Sequence, residues 1–302
     1  MEKADTEKKY ALATVTSASF VPGTMVMLAS FFKHNKGFDG DILIIHKGLE
    51  EQYQYLLSHF KRVKFIEASD TLVDKIKDLA GLFPTLKKKA ARFFSLEVFR
   101  LTGYSRIFFC DSDIVFNGSL SDFPHGPGLL CCGDHCHYSG KTRDARTFLP
   151  VDAGDRGKPL ENTFNSGFMI IDDVLLTPGH YRGLLDLLTP GVWKQIKAPH
   201  TDQIILNLYF QGRCRLLSGR YNLLVPFGQA IMDKEGFSQD DIKVLHFIGP
   251  VKPWNCLETM AMDPDGAVLR FLSQWHSHYL DLLPRIHLRN RLEKRRPGKL
   301  EA

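Results

Sequence analysis

Residues 107–113 read Ile-Phe-Phe-Cys-Asp-Ser-Asp, and this stretch decides the fold class that we expect for the chain. Four apolar residues run directly into two carboxylates, and a second apolar pair follows at Ile114 and Val115. A short continuous apolar run bounded by polar residues is typical of a strand buried on both faces of a parallel sheet. Ligands of open α/β sheets bind outside the carboxyl ends of the strands, so Asp111 and Asp113 are predicted at the ligand edge.

The spacing of these two aspartates predicts a site for a divalent cation. If the backbone stays extended, side chains at i and i+2 point the same way, and the carboxylates of Asp111 and Asp113 converge. They repel each other unless a cation lies between them, and hard divalent ions prefer carboxylate oxygens completed by substrate phosphates. The two residues alone leave open a second interpretation, in which they are ordinary turn or helix-capping aspartates.

Composition limits the class of protein. The 302 residues are 44% hydrophobic and 24% charged, which is ordinary for a globular protein with a substantial core. No apolar run reaches the length of about 18 residues that a membrane-spanning helix needs. Residues 1–9 are charged and lack the apolar core of a secretory signal. Six cysteines in a chain of this length do not resemble a disulfide framework, so a cytoplasmic location is expected.

A cysteine- and histidine-rich segment raises the alternative of a zinc site. Cys131, Cys132 and Cys136 lie close in sequence to His135 and His137. No second pair of such residues follows at zinc-finger spacing, which disfavours zinc.

The C-terminal residues 284–302 are predicted to form a basic tail. The chain has a net charge of +5, and this tail carries Arg285, His287, Arg289, Arg291, Lys294, Arg295, Arg296 and Lys299. One interpretation is peripheral contact with the anionic inner surface of a membrane or with an acidic partner, and the other is a solvated helix end. Nucleic acid is disfavoured, because the tail offers no aromatic side chain for base stacking.

Predicted strands and helices alternate along the chain, which indicates a mostly parallel sheet flanked by helices. The predicted strands and strand-like segments are Tyr10–Thr16, Asp41–His46, Val63–Ile66, Ile107–Asp113, Leu129–Cys132, Phe168–Ile171 and Val244–Phe247. The predicted helices are Thr24–Phe32, Glu50–Phe60, Leu86–Thr102, Tyr181–Leu188, Asp202–Phe210 and Val268–Leu283. We expect a flexible segment 1–9 and one domain over 10–283, with the polar segment 135–162 as a lid or acceptor loop.

Five separate segments, in this order, resemble glycosyltransferase family 8, which includes glycogenin and bacterial galactosyl- and glucosyltransferases of lipopolysaccharide synthesis. They are Ala13–Gly23, Phe109–Asp113, Phe164–Gly167, Thr201–Gln203 and His246–Asn255, and the resemblance covers about residues 10–256. It implies a Rossmann-like α/β fold of the GT-A type. It also implies a retaining sugar transfer from a UDP-sugar, with Mn²⁺, or alternatively Mg²⁺, on the diphosphate.

The resemblance also assigns residues to the metal and the nucleotide. Asp111, Asp113 and His246 match the metal ligands, and Mn²⁺ accepts such a mixture of carboxylate and imidazole. The residues that match the nucleotide and phosphate site are Thr14, Thr16, Ser17, Phe20, Ser112, Gly249 and Lys252. Phe20 is expected to stack on the uracil, and its ordinary alternative is a core aromatic that covers the first helix.

Four further residues match those that surround the sugar, namely Asp134, Asn165, Asp202 and Gln203. Asp202 and Gln203 open a predicted helix and are equally explained as capping residues, and Asn165 as part of a tight turn. Family members commonly carry Lys or Arg where this chain has Ser95, so Arg92, one turn earlier, is the expected substitute.

The acceptor is predicted to be a separate molecule, either a glycan, a lipid-linked glycan or a protein. Glycogenin carries its own acceptor tyrosine after a Tyr-Asn motif, whereas residues 223–245 of this chain contain no tyrosine after Tyr221-Asn222.

Two other functions remain open. One is a non-catalytic module that binds nucleotide-sugars or glycans. The other is a haloacid-dehalogenase-type phosphatase with Asp111 as nucleophile, although that motif normally opens its fold.

Overall fold

The computed structural model describes residues 9–139, 163–196, 200–250, 252–262, 266 and 268–294. Most of the predicted lid or acceptor loop, as well as residues 1–8 and 295–302, lies outside the described residues.

Ten strands form two sheets in the described part of the chain. In chain order they are β1 (Tyr10–Val15), β2 (Asp41–His46), β3 (Val63–Glu67), β4 (Arg106–Cys110), β5 (Ile114–Phe116), β6 (Leu129–Gly133), β7 (Phe164–Asp172), β8 (Cys214–Leu217), β9 (Leu223–Leu224) and β10 (Val244–His246). The central sheet has the order β3-β2-β1-β4-β7-β6-β8, and the small sheet has the order β5-β10-β9. In the central sheet β7 runs antiparallel to both neighbours, β4 and β6, whereas the other pairs are parallel. The predicted mostly parallel α/β fold is confirmed.

Eight of the described helices lie between these strands in sequence, and the last two follow β10. They are α1 (Val21–His34), α2 (Glu51–Leu57), α3 (Asp70–Leu82), α4 (His135–Ser139), α5 (Pro178–Asp186), α6 (Pro190–Gln195), α7 (Asp202–Tyr209), α8 (Gly228–Glu235), α9 (Cys256–Met262) and α10 (Leu269–Lys294). A segment of consecutive 3₁₀ turns spans Pro84–Arg100. None of the described helices combines the length and the apolar character that crossing a membrane requires.

Helices cover both faces of the central sheet because its inner strands are apolar on both sides. In β1, Ala11 and Ala13 belong to one core, whereas Leu12 between them belongs to the other. The first core is completed by α3, α5, α6, α7 and the 3₁₀ segment, and the second by α1, α2 and α10. The result is a three-layer arrangement in which successive strand residues are buried, as expected for parallel strands.

A third core lies under the small sheet and fixes the position of β10. Val115 of β5 and Leu245 of β10 pack there with Ile231 of α8 and with Phe271 and Trp275 of α10. The chain therefore leaves the central sheet after β4, turns, and enters the small sheet as β5.

The structure corrects the strand predicted through residue 113. Strand β4 ends at Cys110, and Asp111, Ser112 and Asp113 form a turn instead of continuing as extended backbone. The reason is that β4 pairs within the central sheet, whereas β5 pairs antiparallel with β10 in the small sheet, so the direction of the chain must change between them.

Other element predictions need smaller corrections. The predicted helix Leu86–Thr102 is the 3₁₀ segment, which begins at Pro84 and ends at Arg100. Helix α3 was not predicted, although Ser69 caps it by accepting a hydrogen bond from the Leu72 amide. Strand β7 is longer than predicted because Phe164–Gly167 already belongs to it. The final helix α10 continues through Pro284 into the basic segment.

Asp41 is the first residue of β2, and the effect of its buried carboxylate on the stability of the fold can be measured. It accepts hydrogen bonds from Lys64 Nζ at 2.8 Å and Tyr104 Oη at 2.8 Å, and Lys9 Nζ lies at 2.9 Å. Burial alone would raise the pKa of Asp41, but the hydrogen bonds from Lys64, Lys9 and Tyr104 lower it to about 2.

We predict that Asp41→Asn lowers the free energy of unfolding by about 1–3 kcal/mol at about pH 7. The pKa is lower in the folded protein than the unfolded value of about 3.9, so this contribution is present above about pH 4. It is lost as the pH falls toward 2. Urea unfolding of both proteins at about pH 7 and about pH 3 measures the difference, which should shrink at the lower pH. An equal difference at both pH values would contradict the role of the carboxylate charge.

Candidate functional site

One cavity of about 520 Å³ lies where the carboxyl ends of β1, β4 and β6 meet. Because β7 is antiparallel to its neighbours, its first residues reach the same edge of the sheet. The cavity is lined by every residue assigned to the site from the sequence except Thr14, that is by Thr16, Ser17, Phe20, Arg92, Asp111, Ser112, Asp113, Asp134, Asn165, Asp202, Gln203, His246, Gly249 and Lys252. The fold therefore brings residues from distant parts of the chain to one place.

Backbone hydrogen bonds hold the Asp111–Asp113 turn from two sides. The Asp111 amide donates to the Gly167 carbonyl of β7 at 2.8 Å. The Phe247 amide, directly after β10, donates to the Asp113 carbonyl at 3.0 Å. These bonds, and not an extended backbone, determine where the two carboxylates lie.

Hydroxyl groups hold the same turn from a third side. Ser112 Oγ donates to the Val15 carbonyl at 2.6 Å and accepts from Thr24 Oγ1 at 2.9 Å. Thr24 Oγ1 also lies 2.6 Å from Thr16 Oγ1, and Thr14 Oγ1 lies 3.3 Å from Ser112 Oγ. Thr14 is buried behind the cavity wall, so its contact is with the turn.

Asp111, Asp113 and His246 form the group that best fits a metal ion. One ligand atom of each lies within 4.8 Å of the other two, and within the described ranges no other group of three such residues does this. His246 Nε2 is 3.2 Å from Asp113 Oδ1 and 3.6 Å from Asp111 Oδ2. Asp113 Oδ1 is buried and makes no hydrogen bond to the described part of the chain. A buried carboxylate oxygen without a donor fits the proposed cation ligand, and the cysteine segment offers no comparable described group.

The two aspartates differ in their electrostatic surroundings. Burial would raise the pKa of Asp113, but the ammonium of Lys252 and the imidazole of His246 lower it below its usual range. Lys252 Nζ contacts Asp113 Oδ2 and donates to the Phe247 carbonyl at 2.8 Å. Partial burial and the charge of Asp113 raise the pKa of Asp111 above its usual range. A bound cation would oppose that rise, since metal ligands bind in their deprotonated form.

Gly167 leaves the space that the imidazole occupies. A Cβ atom at this position would lie 2.1 Å from His246 Cε1 and 2.8 Å from Asp111 Oδ2. Because this residue also accepts the hydrogen bond from the Asp111 amide, it contacts both halves of the metal group. Only glycine fits here without displacing His246 or Asp111.

Beside Asn165 and Gln203 in the cavity lining, Asp202 is more than a helix cap. Its carboxylate accepts hydrogen bonds from Ser95 at 2.9 Å, Ser166 at 3.3 Å and Thr201 at 2.9 Å. Burial raises the pKa of Asp202, and the hydrogen bonds of Ser95 and Thr201 oppose this rise. Ser95 is thus a buried partner of Asp202, whereas Arg92 is exposed and lines the cavity with its charge.

The end of the cavity next to Phe20 has an aromatic wall. Phe20 is half-buried and meets Trp254 edge to face with ring centroids 5.4 Å apart. Lys252 Nζ lies 5.8 Å from the centroid of the Phe20 ring. Gly249 has a φ of 90°, a conformation that favours glycine, and it also lines this end.

Several cavity residues were not assigned to the site from the sequence. Lys88 and Lys89 line the rim, and His135 stacks on Phe227 with ring centroids 4.8 Å apart. Asn222 does not line the cavity and was also not assigned; its Oδ1 lies 3.0 Å from Nδ1 of His246. The sequence contains Asn222 in the Tyr-Asn motif, but the motif did not indicate what the asparagine does.

The sequence matches the family described as glycosyl transferase family 8 over residues 11–258. A glycogenin from Komagataella phaffii is 27% identical over 200 residues, which cover 61% of this chain and 42% of that protein. A lipopolysaccharide 1,2-glucosyltransferase from Escherichia coli is 24% identical over 266 residues, which cover 84% of this chain and 75% of that protein. The chain thus spans less than half of the length of the glycogenin.

Solved structures resemble the fold over most of the chain. The galactosyltransferase LgtC, crystallised in complex with donor and acceptor sugar analogs, has a TM-score of 0.66 and 16% identity, covering 90% of this chain and 95% of that chain. The apo form of the glycosyltransferase GlyE from Streptococcus pneumoniae has a TM-score of 0.57 and 17% identity, covering 98% of this chain and 66% of that chain. These similarities concern the fold, which is the GT-A type expected from the sequence.

We predict that Gly167→Ala weakens Mn²⁺ binding by at least about 10-fold, because the new methyl group displaces His246. Gly81→Ala is the matched control, since a Cβ atom at that exposed position of α3 meets nothing within 4 Å. Isothermal titration with Mn²⁺ measures both variants, and circular dichroism checks that they fold. Equal Mn²⁺ affinity for Gly167→Ala and Gly81→Ala would contradict the proposed metal group.

Proposed function

This chain belongs to glycosyl transferase family 8, and on that premise we propose that it transfers a sugar from a UDP-sugar to an acceptor hydroxyl. In this proposal the anomeric configuration is retained and a divalent cation, Mn²⁺ or Mg²⁺, is held by Asp111, Asp113 and His246. The observation that carries the proposal is that these three side chains converge, from distant parts of the sequence, at one cavity.

The charges around the cavity support a donor that carries a diphosphate. Three of its carboxylates, those of Asp113, Asp134 and Asp202, are buried. The basic side chains of Lys88 and Arg92 are exposed at the rim. A basic rim attracts an anionic ligand, while buried carboxylates disfavour its binding unless a cation is shared between them.

We propose that the aromatic end of the cavity receives the uracil and ribose. The half-buried Phe20 ring offers a stacking surface, and Thr16 and Ser17 line the cavity beside it. Lys252, whose side chain is 12% exposed, is placed to contact phosphate oxygens as well as Asp113. In this assignment Thr14 acts only indirectly, through its contact with Ser112.

When bound, the cation would neutralise the charge that develops on the leaving diphosphate. The residues of the chain then have to hold the sugar and exclude water. Asp134, Asn165, Asp202 and Gln203 are buried polar side chains at the sugar end, and each can hydrogen-bond sugar hydroxyls.

The hydrogen bonds of Asp202 support a reaction that retains the anomeric configuration without a covalent intermediate. Its two carboxylate oxygens already accept three hydroxyl hydrogen bonds, which makes it a poor nucleophile. Gln203 is an amide and is poorer still. We therefore propose a front-side route, in which the bond from the anomeric carbon to the phosphate oxygen breaks as the acceptor oxygen bonds to the same face. The acceptor proton passes to the leaving phosphate oxygen, so positioning and charge do most of the catalysis.

The acceptor, the location and the basic tail stay predictions. We propose a separate glycan, lipid-linked glycan or protein as acceptor, in a cytoplasmic protein that contacts the inner membrane surface through its basic tail. The tail proposal is supported by the basic sequence of 284–302, of which 295–302 lie outside the described residues.

We predict that Asp113→Ala and His246→Ala each lower Mn²⁺-dependent UDP release from the preferred UDP-sugar by at least about 10²-fold. Each substitution removes one proposed metal ligand and leaves the hydrophobic cores unchanged. Asp186→Ala, at an exposed position at the end of α5, is the matched control.

Thermal shifts with UDP-, GDP- and CDP-sugars, with and without Mn²⁺, identify the donor before these assays, because a ligand stabilises the folded state that binds it.

The same assays separate the alternatives. Transfer that persists at wild-type rates in Asp113→Ala and His246→Ala, or in EDTA, would contradict the metal assignment. Phosphate release from a generic phosphoester with Mg²⁺ would favour the phosphatase. Donor binding without turnover, with acceptors present, would favour a binding module.

A further inference from the structure

Four buried polar side chains connect the His246 imidazole to the far end of the cavity. His246 Nδ1 lies 3.0 Å from Asn222 Oδ1, and Asn222 Nδ2 lies 2.9 Å from Asn165 Oδ1. Asn165 Nδ2 lies 3.2 Å from Gln203 Oε1, and Gln203 Nε2 lies 3.4 Å from an oxygen of the Asp134 carboxylate. All five residues are at most 9% exposed, so bulk water does not substitute for these contacts.

The direction of this chain of hydrogen bonds is fixed by a backbone amide. The Gly167 N–H, which can only donate, lies 3.0 Å from Asn165 Oδ1. The Asn165 atom at that position must therefore be the oxygen. The Asn222 group that faces the same oxygen must be the NH₂, which leaves the Asn222 oxygen facing His246.

This direction determines the protonation of one ring nitrogen. Because an amide oxygen can only accept, His246 Nδ1 must carry a hydrogen and donate it to Asn222. The other ring nitrogen, Nε2, then faces Asp111 and Asp113 at the distances given above. A metal-binding histidine is commonly oriented in this way, through a hydrogen bond from its second nitrogen.

We propose that Asn222 is the positioning residue of the metal group: it holds the hydrogen of His246 on Nδ1 and directs Nε2 toward the cation. The inference rests on the proposed function only in that it assumes a divalent cation at Asp111 and Asp113. Asn222 lines no part of the cavity itself and acts through His246. It is only 1% exposed, so its second hydrogen bond, to Asn165, fixes the orientation of its amide.

The wild-type protein gives the first test. Nuclear magnetic resonance of the ¹⁵N-histidine-labelled protein should show a hydrogen on Nδ1 of His246, slow to exchange with solvent. This holds for the Nδ1–H tautomer and for the doubly protonated ring alike, so the state of Nε2 does not affect it. A wild-type spectrum in which Nδ1 of His246 carries no hydrogen would overturn the proposal.

Variants at Asn222 give the second test. We expect Asn222→Ala to weaken Mn²⁺ binding by about 10- to 100-fold and to abolish the slow exchange of the Nδ1 hydrogen. Asn222→Asp keeps an oxygen that accepts from Nδ1, so its Mn²⁺ affinity should lie closer to wild type than that of Asn222→Ala. Asn35→Ala is the control, because Asn35 is also buried and hydrogen-bonded, to Leu120 and Phe31, and does not line the cavity.

The outcomes separate a positioning role from a structural one. If Asn35→Ala loses stability but keeps Mn²⁺ affinity while Asn222→Ala loses affinity, the proposal holds. If Asn222→Ala binds Mn²⁺ as tightly as wild type, or if Asn222→Asp fails to recover any affinity, it is overturned. These readouts need no sugar nucleotide, so a failure of sugar transfer alone would contradict the proposed function and leave this inference standing.

Discussion

Two carboxylates, of which that of Asp113 is buried and that of Asp111 is open to the cavity, are held close to one imidazole, and much of the structure serves to maintain that arrangement. The Asp111–Asp113 turn joins the central sheet to the small sheet, so both sheets fix its ends. His246 enters from the end of β10, which pairs with β5 directly after the turn. Like charges at this separation are unfavourable, and only cations or protons near them make the arrangement stable.

The reversed strand β7 makes this arrangement possible. In a fully parallel sheet its first residues would lie at the opposite edge, far from the cavity. Because β7 is antiparallel, Asn165 and Gly167 approach the metal group from the side facing away from β1. Gly167 contributes by being small, and Asn165 by linking His246, through Asn222, to Gln203. The group of Asp111, Asp113 and His246 and the part of the cavity lined by Gln203 are thereby joined in one hydrogen-bonded unit.

The sequence predicted the fold class and the proximity of the aspartates, but the reason given for that proximity was wrong. Side-chain alternation along an extended strand was expected to bring Asp111 and Asp113 together, whereas a turn held by Gly167 and Phe247 does so. Local patterns cannot reveal such a turn, since its cause is the pairing of β5 with β10, more than a hundred residues later. The antiparallel direction of β7 could not be predicted from the sequence for the same reason. Asn222 lies in the Tyr221-Asn222 motif, but the motif alone gives the asparagine no role, because its hydrogen-bond partners are set only by tertiary structure.

We propose that one cation is held jointly by Asp111, Asp113 and His246 while it contacts the diphosphate of a sugar nucleotide. Crystals grown with Mn²⁺ and UDP would test it most directly, by anomalous diffraction collected on both sides of the manganese absorption edge. We expect one strong anomalous peak bonded to Nε2 of His246, to both carboxylates and to oxygens of both phosphates. A peak elsewhere in the protein, or UDP bound in the cavity without manganese at these three side chains, would contradict it.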